Sequence, residues 1–140
     1  MRENEITEQI IGAAIDVHRE LGPGLLETVY HQCLAHEFGL RGIKYDSELV
    51  FGARYKGKSI PSAFRMDFLV CDSVVVELKV VENILPVHSA QLLSYLRLSS
   101  KEIGLLINFN VPVLKQGIKR VVNNKQQKTS VTSAFSVPLR

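Results

Sequence analysis

The sequence predicts an α/β fold in which a mixed central sheet of four to five strands is flanked by helices. Three observations support this prediction. Two segments near the N-terminus repeat apolar residues at helical spacing. Region 44–81 contains three strand-like segments joined by short turns, and a helical segment at 86–99 separates them from one more apolar strand. The sheet should therefore begin as an antiparallel meander and continue with a parallel strand.

Length and composition indicate one globular domain at residues 1–122 and a polar, basic C-terminal tail at 123–140. The 140 residues are 46% hydrophobic and 22% charged, which is usual for soluble proteins. No apolar run is long enough to cross a membrane, and no signal peptide is visible. Cys33 and Cys71 are too few and too far apart for a disulfide scaffold or a cysteine zinc site. Reduced thiols in a cytoplasmic protein are expected.

Charge is distributed unevenly along the chain. Residues 1–102 contain 11 Lys or Arg against 14 Asp or Glu, whereas residues 103–140 contain six basic residues and no acid. A basic C-terminal segment suits an anionic partner such as nucleic acid, but a solvated tail accounts for it equally well.

Two N-terminal helices are expected, at residues 5–21 and about 25–39, because apolar residues recur there at helical spacing. Gly22-Pro23-Gly24 separates them. His18 has no partner at helical spacing, so we expect a surface or internally satisfied residue rather than a ligand. Glu27 lies near the start of the second helix, where a carboxylate either stabilises the helix dipole or turns inward as part of a site.

The stretch from Arg65 to Val81 is typical of two apolar strands joined by a tight turn at Asp72-Ser73. Asp67 interrupts the first strand, and Glu77 and Lys79 interrupt the second. Because strand side chains alternate between faces, Glu77 and Lys79 should share one polar face, while the intervening Val and Leu residues form a core on the other.

Asp67 reaches the face of Glu77 only if the hairpin loop has a suitable length. A plain two-residue turn would set Phe68 opposite Glu77 and place Asp67 on the other face. We therefore expect a three-residue loop or a bulge, which restores Asp67 to the face of Glu77. A regular two-residue hairpin would exclude a metal site built on both carboxylates.

Such a site would suit metal-assisted chemistry. Mg²⁺ prefers carboxylate and carbonyl oxygens, so Asp67 and Glu77, with the Leu78 carbonyl, can hold one ion. Lys79 can then orient or deprotonate a water that the ion has made more acidic. A surface ion pair on a half-exposed sheet explains the same residues with little energetic effect, and short carboxylate–lysine patterns recur by chance.

The remaining elements complete the sheet. Residues 44–55 alternate as a strand before a turn at Lys56-Gly57-Lys58, and Pro86 suits the first turn of a third helix at about 86–99. Residues 103–109 suit a buried parallel strand, and 117–122 a short edge strand.

A row of polar residues lies along the third helix. His88, Gln91 and Tyr95 are spaced by three and four residues, so they share one face of the helix. From spacing alone, this row is typical of a solvated helix face.

The spacing Gly24-x-x-Glu27-x-x-Tyr30 resembles the signature of the GxxExxY protein family, which belongs to the PD-(D/E)XK nuclease-like superfamily. The resemblance covers about residues 5–122. Met66 stands where the literal superfamily motif has Pro, a common variation in such folds. Further similar motifs follow in the same order: the Asp67 strand, Val-Glu-Leu-Lys at 76–79, Leu85-Pro86-Val87-His88, Gln91-Leu-Leu-Ser-Tyr95 and Gly104-Leu-Leu-Ile-Asn-Phe109.

This resemblance implies a PD-(D/E)XK nuclease-like core and a nuclease that hydrolyses phosphodiester bonds with Mg²⁺ or Mn²⁺. Nucleic acid is the implied partner, with DNA as its expected form. The implied metal ligands are Asp67, Glu77, the Leu78 carbonyl and Glu27. The implied catalytic residues are Lys79, Glu77, Asp67 and Gln91, and the implied substrate contacts are Tyr30, His88 and Tyr95.

Two other functions remain open on the same fold, since a fold does not fix a function. One is a non-catalytic nucleic-acid-binding protein. The other is an interaction or regulatory subunit that forms a homodimer through its sheet edge or C-terminal tail.

Overall fold

The computed structural model describes residues 2–124 and 138–139. The helices are α1 (Glu3–Leu21), α2 (Glu27–Leu40) and α3 (Pro86–Ser99). The strands are β1 (Tyr45–Tyr55), β2 (Lys58–Val70), β3 (Val74–Lys79), β4 (Ile103–Asn108), β5 (Ile118–Val122) and β6 (Pro138–Leu139). A 3₁₀ turn at Leu114–Gly117 precedes β5. Within the described residues, no helix combines the length and the apolar character needed to cross a membrane.

One mixed sheet joins the strands in the order β5-β4-β3-β2-β1-β6. β1, β2 and β3 form an antiparallel meander, and β3 pairs in parallel with β4 across the connection through α3. The predicted α/β fold is therefore confirmed. β6 is a two-residue strand that pairs with β1 and adds to the four or five strands expected.

The predicted tail at 123–140 lies mostly outside the described residues, which omit 125–137 and 140. Asn123, at its start, is buried. Its backbone N–H donates to the Glu102 carbonyl at 2.8 Å, and its side-chain amide donates to the Lys101 carbonyl at 3.1 Å. The folded core therefore reaches at least to Asn123.

The loop between β2 and β3 contains three residues, as predicted. Val70 pairs with Val74, which leaves Cys71–Ser73 as the loop, and Cys71 and Asp72 both have positive φ. In this register Asp67 and Glu77 occupy the next facing positions, so their side chains lie on the same face of the sheet.

Both faces of the sheet carry buried apolar residues, which corrects the prediction that one face of β3 is a core and the other is polar. On one face, Phe68 and Val76 pack in a core with residues of α1 and α2. On the other face, Val75 and Leu69 form a second core with Leu92 and other residues of α3. Polar character is therefore limited to the far end of β3, because α3 covers the strand before Glu77 is reached.

Gly117, at the end of the 3₁₀ turn, is pressed against β4. A Cβ atom on Gly117 would lie 2.2 Å from the Asn108 carbonyl oxygen, so the backbone would have to move. Gly117→Ala should lower the free energy of unfolding by about 1–3 kcal/mol in urea denaturation. In Gly39→Ala, the new Cβ meets nothing within 4 Å and lies in a helix, so this control should be neutral or slightly stabilising. Equal stability of the two variants would contradict the expected clash.

Candidate active site

β2 and β3 separate where their polar residues begin. Their pairing stops at Phe68 and Val76. Beyond this point β2 continues to pair with β1 as far as Lys58, and β3 continues to pair with β4 as far as Lys79. The two central strands therefore leave a gap inside the sheet, and Asp67 and Glu77 lie at its closed end.

Asp67 and Glu77 bridge this gap by reciprocal hydrogen bonds. The Asp67 N–H donates to Glu77 Oε2 at 2.8 Å, and the Leu78 N–H donates to Asp67 Oδ2 at 2.8 Å. Each carboxylate is thus held by backbone of the opposite strand, in place of a strand-to-strand hydrogen bond. The structure brings together the two carboxylates that the sequence predicts.

The proximity of the two carboxylates makes their joint ionisation unfavourable. Glu77 is 6% exposed. Burial, and then the charge of Asp67, raise the pKa of Glu77 to about 8, although the hydrogen bond from Asp67 and the ammonium of Lys79 oppose the shift. Burial also raises the pKa of Asp67, against the hydrogen bond from Leu78. Added positive charge would favour the ionised form of both groups.

Lys79 and Glu27 lie within electrostatic reach of this pair. Lys79 is half-buried at the end of β3 and forms no ion pair within 4 Å in the part of the chain that the structure describes. Its ammonium lowers the pKa of Glu77, Asp67 and Glu27. Burial, and then the charge of Asp67, raise the pKa of Glu27 at the start of α2.

α3 brings Tyr95 to the same place. The Tyr95 ring stacks on Phe64 with centroids 4.6 Å apart. Burial, and then the charges of Glu77 and Asp67, raise the pKa of the Tyr95 hydroxyl, so the phenol lies near the carboxylates. Gln91, about one turn earlier on α3, is exposed.

The two histidines that the sequence analysis singled out have structural contacts. His18 is buried, and its Nε2–H donates to the Val111 carbonyl at 2.8 Å, which confirms an internally satisfied residue. His88 caps α3, because its Nδ1 accepts the Leu85 N–H at 2.9 Å. No described contact links His88 to the carboxylate pair, and its substrate role stays a prediction.

Tyr30 is fully buried, and its described contacts are all within the protein, so its substrate contact stays a prediction. Its hydroxyl donates to the Gly22 carbonyl and accepts the Leu25 N–H, and its ring stacks on Phe109 with centroids 4.6 Å apart. These contacts fix the loop that leads into α2. Tyr30 is therefore a positioning residue, which sets where Glu27 begins the helix.

His31, which the sequence analysis did not identify, supports the strand that carries Asp67. Its ring stacks on Phe68 with centroids 4.3 Å apart, and its Nε2–H donates to the Asp67 carbonyl at 3.3 Å. The signal in the sequence is its spacing of four from Glu27, which places both residues on one side of α2.

Arg65 is the second residue that the sequence analysis missed. It lies two residues before Asp67 on β2, between Phe64 and Met66, which pack with α3, so its side chain lies on the side of α2. The signal in the sequence was an arginine between apolar residues of a strand, close to Asp67. Arg65 lines a cleft of about 210 Å³ with Glu27, Thr28, His31, Gln32, Glu48 and Asp67.

The donor set fits a hard divalent cation. Among the described residues, no three His, Cys, Asp or Glu side chains are grouped as a metal cage. Mg²⁺ does not need such a cage, because proteins usually bind it through one or two carboxylates together with waters and substrate phosphates. Asp67 and Glu77 meet that requirement, and their raised pKa values mark a place where positive charge is lacking.

Comparison with known families agrees with this fold. A family model described as the PD-(D/E)XK nuclease superfamily matches residues 4–121, which include all the residues described above for the site. The chain therefore belongs to that superfamily. No curated protein and no solved structure gave a significant match. The finer assignment to the GxxExxY family stays a prediction.

Glu77 should make the metal-free protein less stable as the pH rises. Its pKa is higher in the folded chain than in the unfolded chain, so the free energy of unfolding should fall from about pH 4.5 to about pH 8. The slope should approach ~1.4 kcal/mol per pH unit. Glu77→Gln keeps an acceptor for the Asp67 N–H and removes this titration. Urea denaturation in chelator should give a flatter profile for Glu77→Gln, and equal slopes would refute the raised pKa.

Tyr30→Phe tests the positioning role of the hydroxyl. The change leaves the Gly22 carbonyl and the Leu25 N–H without this partner, so the free energy of unfolding should fall by about 1–3 kcal/mol. Tyr55 is 61% exposed, and Tyr55→Phe is the control, expected to change stability by no more than about 0.5 kcal/mol. Equal effects in thermal or urea denaturation would argue against the role given to Tyr30.

Proposed function

We propose that this chain is a divalent-metal-dependent nuclease that hydrolyses phosphodiester bonds of nucleic acid, with DNA as the expected substrate. The strongest support is the pair formed by Asp67 and the buried Glu77, joined by reciprocal hydrogen bonds, with Lys79 within electrostatic reach. Membership of a nuclease superfamily implies a nucleic acid substrate.

Asp67, Glu77 and the Leu78 carbonyl would hold Mg²⁺ or Mn²⁺, with Glu27 acting directly or through water. When bound, such a cation supplies positive charge that makes water more acidic and stabilises negative charge on a phosphate. The two carboxylates are suited to this role because backbone N–H groups already fix their orientation. Ordering them on binding therefore loses little conformational freedom.

Lys79 would orient the attacking water and stabilise the charge that develops on the phosphate. The water oxygen would form a bond to phosphorus while the bond from phosphorus to the leaving sugar oxygen breaks. The backbone at Lys79 is well held for this role. Phe109 N–H donates to the Lys79 carbonyl at 3.0 Å, and the Asn108 side chain bonds both backbone groups of Val81.

Gln91 and Tyr95 would contact the substrate backbone or orient Lys79 from the side of α3. Tyr95 lies near the carboxylates, whereas Gln91 is exposed about one turn away. The two residues would therefore act at different distances from the reacting phosphate.

Calorimetric titration of Mg²⁺ and Mn²⁺ tests the metal site. Wild-type protein should bind one cation saturably, and Asp67→Asn and Glu77→Gln should each abolish binding, because each removes a charged ligand. If no binding is detected, the titration would be repeated with non-cleavable nucleic acid present, since substrate phosphates commonly complete such sites. Absence of cation binding in both conditions would contradict the metal site.

Cleavage of labelled DNA and RNA tests the catalytic role of Lys79. Lys79→Ala should lower the cleavage rate by at least about 100-fold, as loss of a group that stabilises the transition state typically does. Lys44→Ala removes an exposed lysine immediately before β1 and should cleave like wild type. Metal-independent binding that Lys79→Ala leaves unchanged would favour the non-catalytic binding protein. A stable oligomer with no affinity for nucleic acid would favour the regulatory subunit.

A further inference from the structure

Arg65 and Lys79 occupy corresponding positions on the two sides of the gap. The last pair of β2 and β3 is Phe68 with Val76; Asp67 and Glu77 come directly after it, and Arg65 and Lys79 lie two residues further along each diverging strand. Glu77 and Lys79 follow Val75 on the face that α3 covers, whereas Arg65 lies on the side of α2, because its neighbours Phe64 and Met66 both pack with α3. The gap therefore has two carboxylates at its closed end, with Lys79 on the side of α3 and Arg65 on the side of α2.

The guanidinium of Arg65 is directed to this site. Arg65 lines the cleft with Glu27, His31 and Asp67. Its charge lowers the pKa of Asp67 and of Tyr95, so it lies within electrostatic reach of both the cleft and the residue that α3 contributes.

The ion pair that Arg65 forms with Glu48 is weak. Arg65 Nη1 lies 3.9 Å from Glu48 Oε1, and the two side chains are 63% and 61% exposed. Exposed pairs at such a distance contribute little, because solvent screens them and both side chains lose freedom. The guanidinium is therefore available to a stronger anion.

Phosphate is the anion that best suits Arg65. The planar guanidinium donates two parallel hydrogen bonds to phosphate oxygens, which an ammonium does not match. Of the described residues that line the cleft, Arg65 alone carries a permanent positive charge, among the carboxylates of Glu27, Glu48 and Asp67. An anion would be repelled from this cleft until a cation neutralises the carboxylates.

We propose that Arg65 binds a phosphate of the nucleic acid strand in the cleft beside Asp67, on the α2 side of the gap, once a divalent cation occupies the carboxylate pair. This inference rests on the proposed nuclease function and adds a substrate-binding residue to it. Lys79 acts on the scissile phosphate, whereas Arg65 holds the strand in register.

Fluorescence anisotropy of a labelled DNA oligonucleotide tests this role. The titrations would use Ca²⁺ or chelator, with the oligonucleotide checked for cleavage. In Ca²⁺, Arg65→Ala should raise Kd about tenfold and reduce the slope of log affinity against log salt by about one. Arg65→Lys should recover part of the affinity, because it keeps the charge but loses the paired donors. In chelator, wild type and both variants should bind equally weakly.

Arg54→Ala is the matched control, since Arg54 is an exposed arginine of the same sheet that does not line the cleft. It should bind within about twofold of wild type, and circular dichroism would verify that each variant is folded. Wild-type binding by Arg65→Ala, or equal losses in Arg65→Ala and Arg54→Ala, would overturn the inference and leave the nuclease function standing. A wild-type protein without cation-dependent binding or cleavage would overturn both.

Discussion

Two carboxylates held side by side inside a sheet are the constraint on which the site depends. Asp67 and Glu77 each accept a backbone N–H from the opposite strand, so the central strands part around them instead of pairing. Burial of both charges is unfavourable, as the raised pKa of Glu77 near 8 indicates. The gap is therefore a stable feature of the sheet, because the carboxylates of Asp67 and Glu77 both hold the strands apart and form the proposed site.

The two hydrophobic cores make such an arrangement tolerable. Phe68 and Val76 on one face, and Leu69 and Val75 on the other, anchor β2 and β3 up to the residue where the strands part. Helices on both faces then contribute polar groups to one point, Glu27 from α2 and Tyr95 from α3. Functional sites commonly carry unfavourable interactions that the surrounding packing must offset.

Local sequence patterns predicted the helices and strands, whereas the burial of individual side chains depends on packing between distant parts of the chain. Helical spacing, strand alternation and the parity of the β2–β3 loop are properties of short stretches, and they placed Asp67 beside Glu77 correctly. The burial of Tyr30 could not be predicted, because it depends on Phe109, 79 residues away. The polar face predicted for β3 is partly apolar for the same reason, since Val75 on that face packs with Leu92 of α3, from a separate part of the chain.

The loop of Cys71–Ser73 has a further consequence for how this site can change in evolution. Side chains in the loop can be exchanged, but the number of residues in the loop decides which face of the sheet each side chain at the end of β2 occupies relative to β3. Gain or loss of a single residue would turn the strand inside out relative to β3, presenting Phe68 to Glu77 and burying Asp67 against α1 and α2. Length changes in this hairpin are therefore compatible with the site only in steps of two.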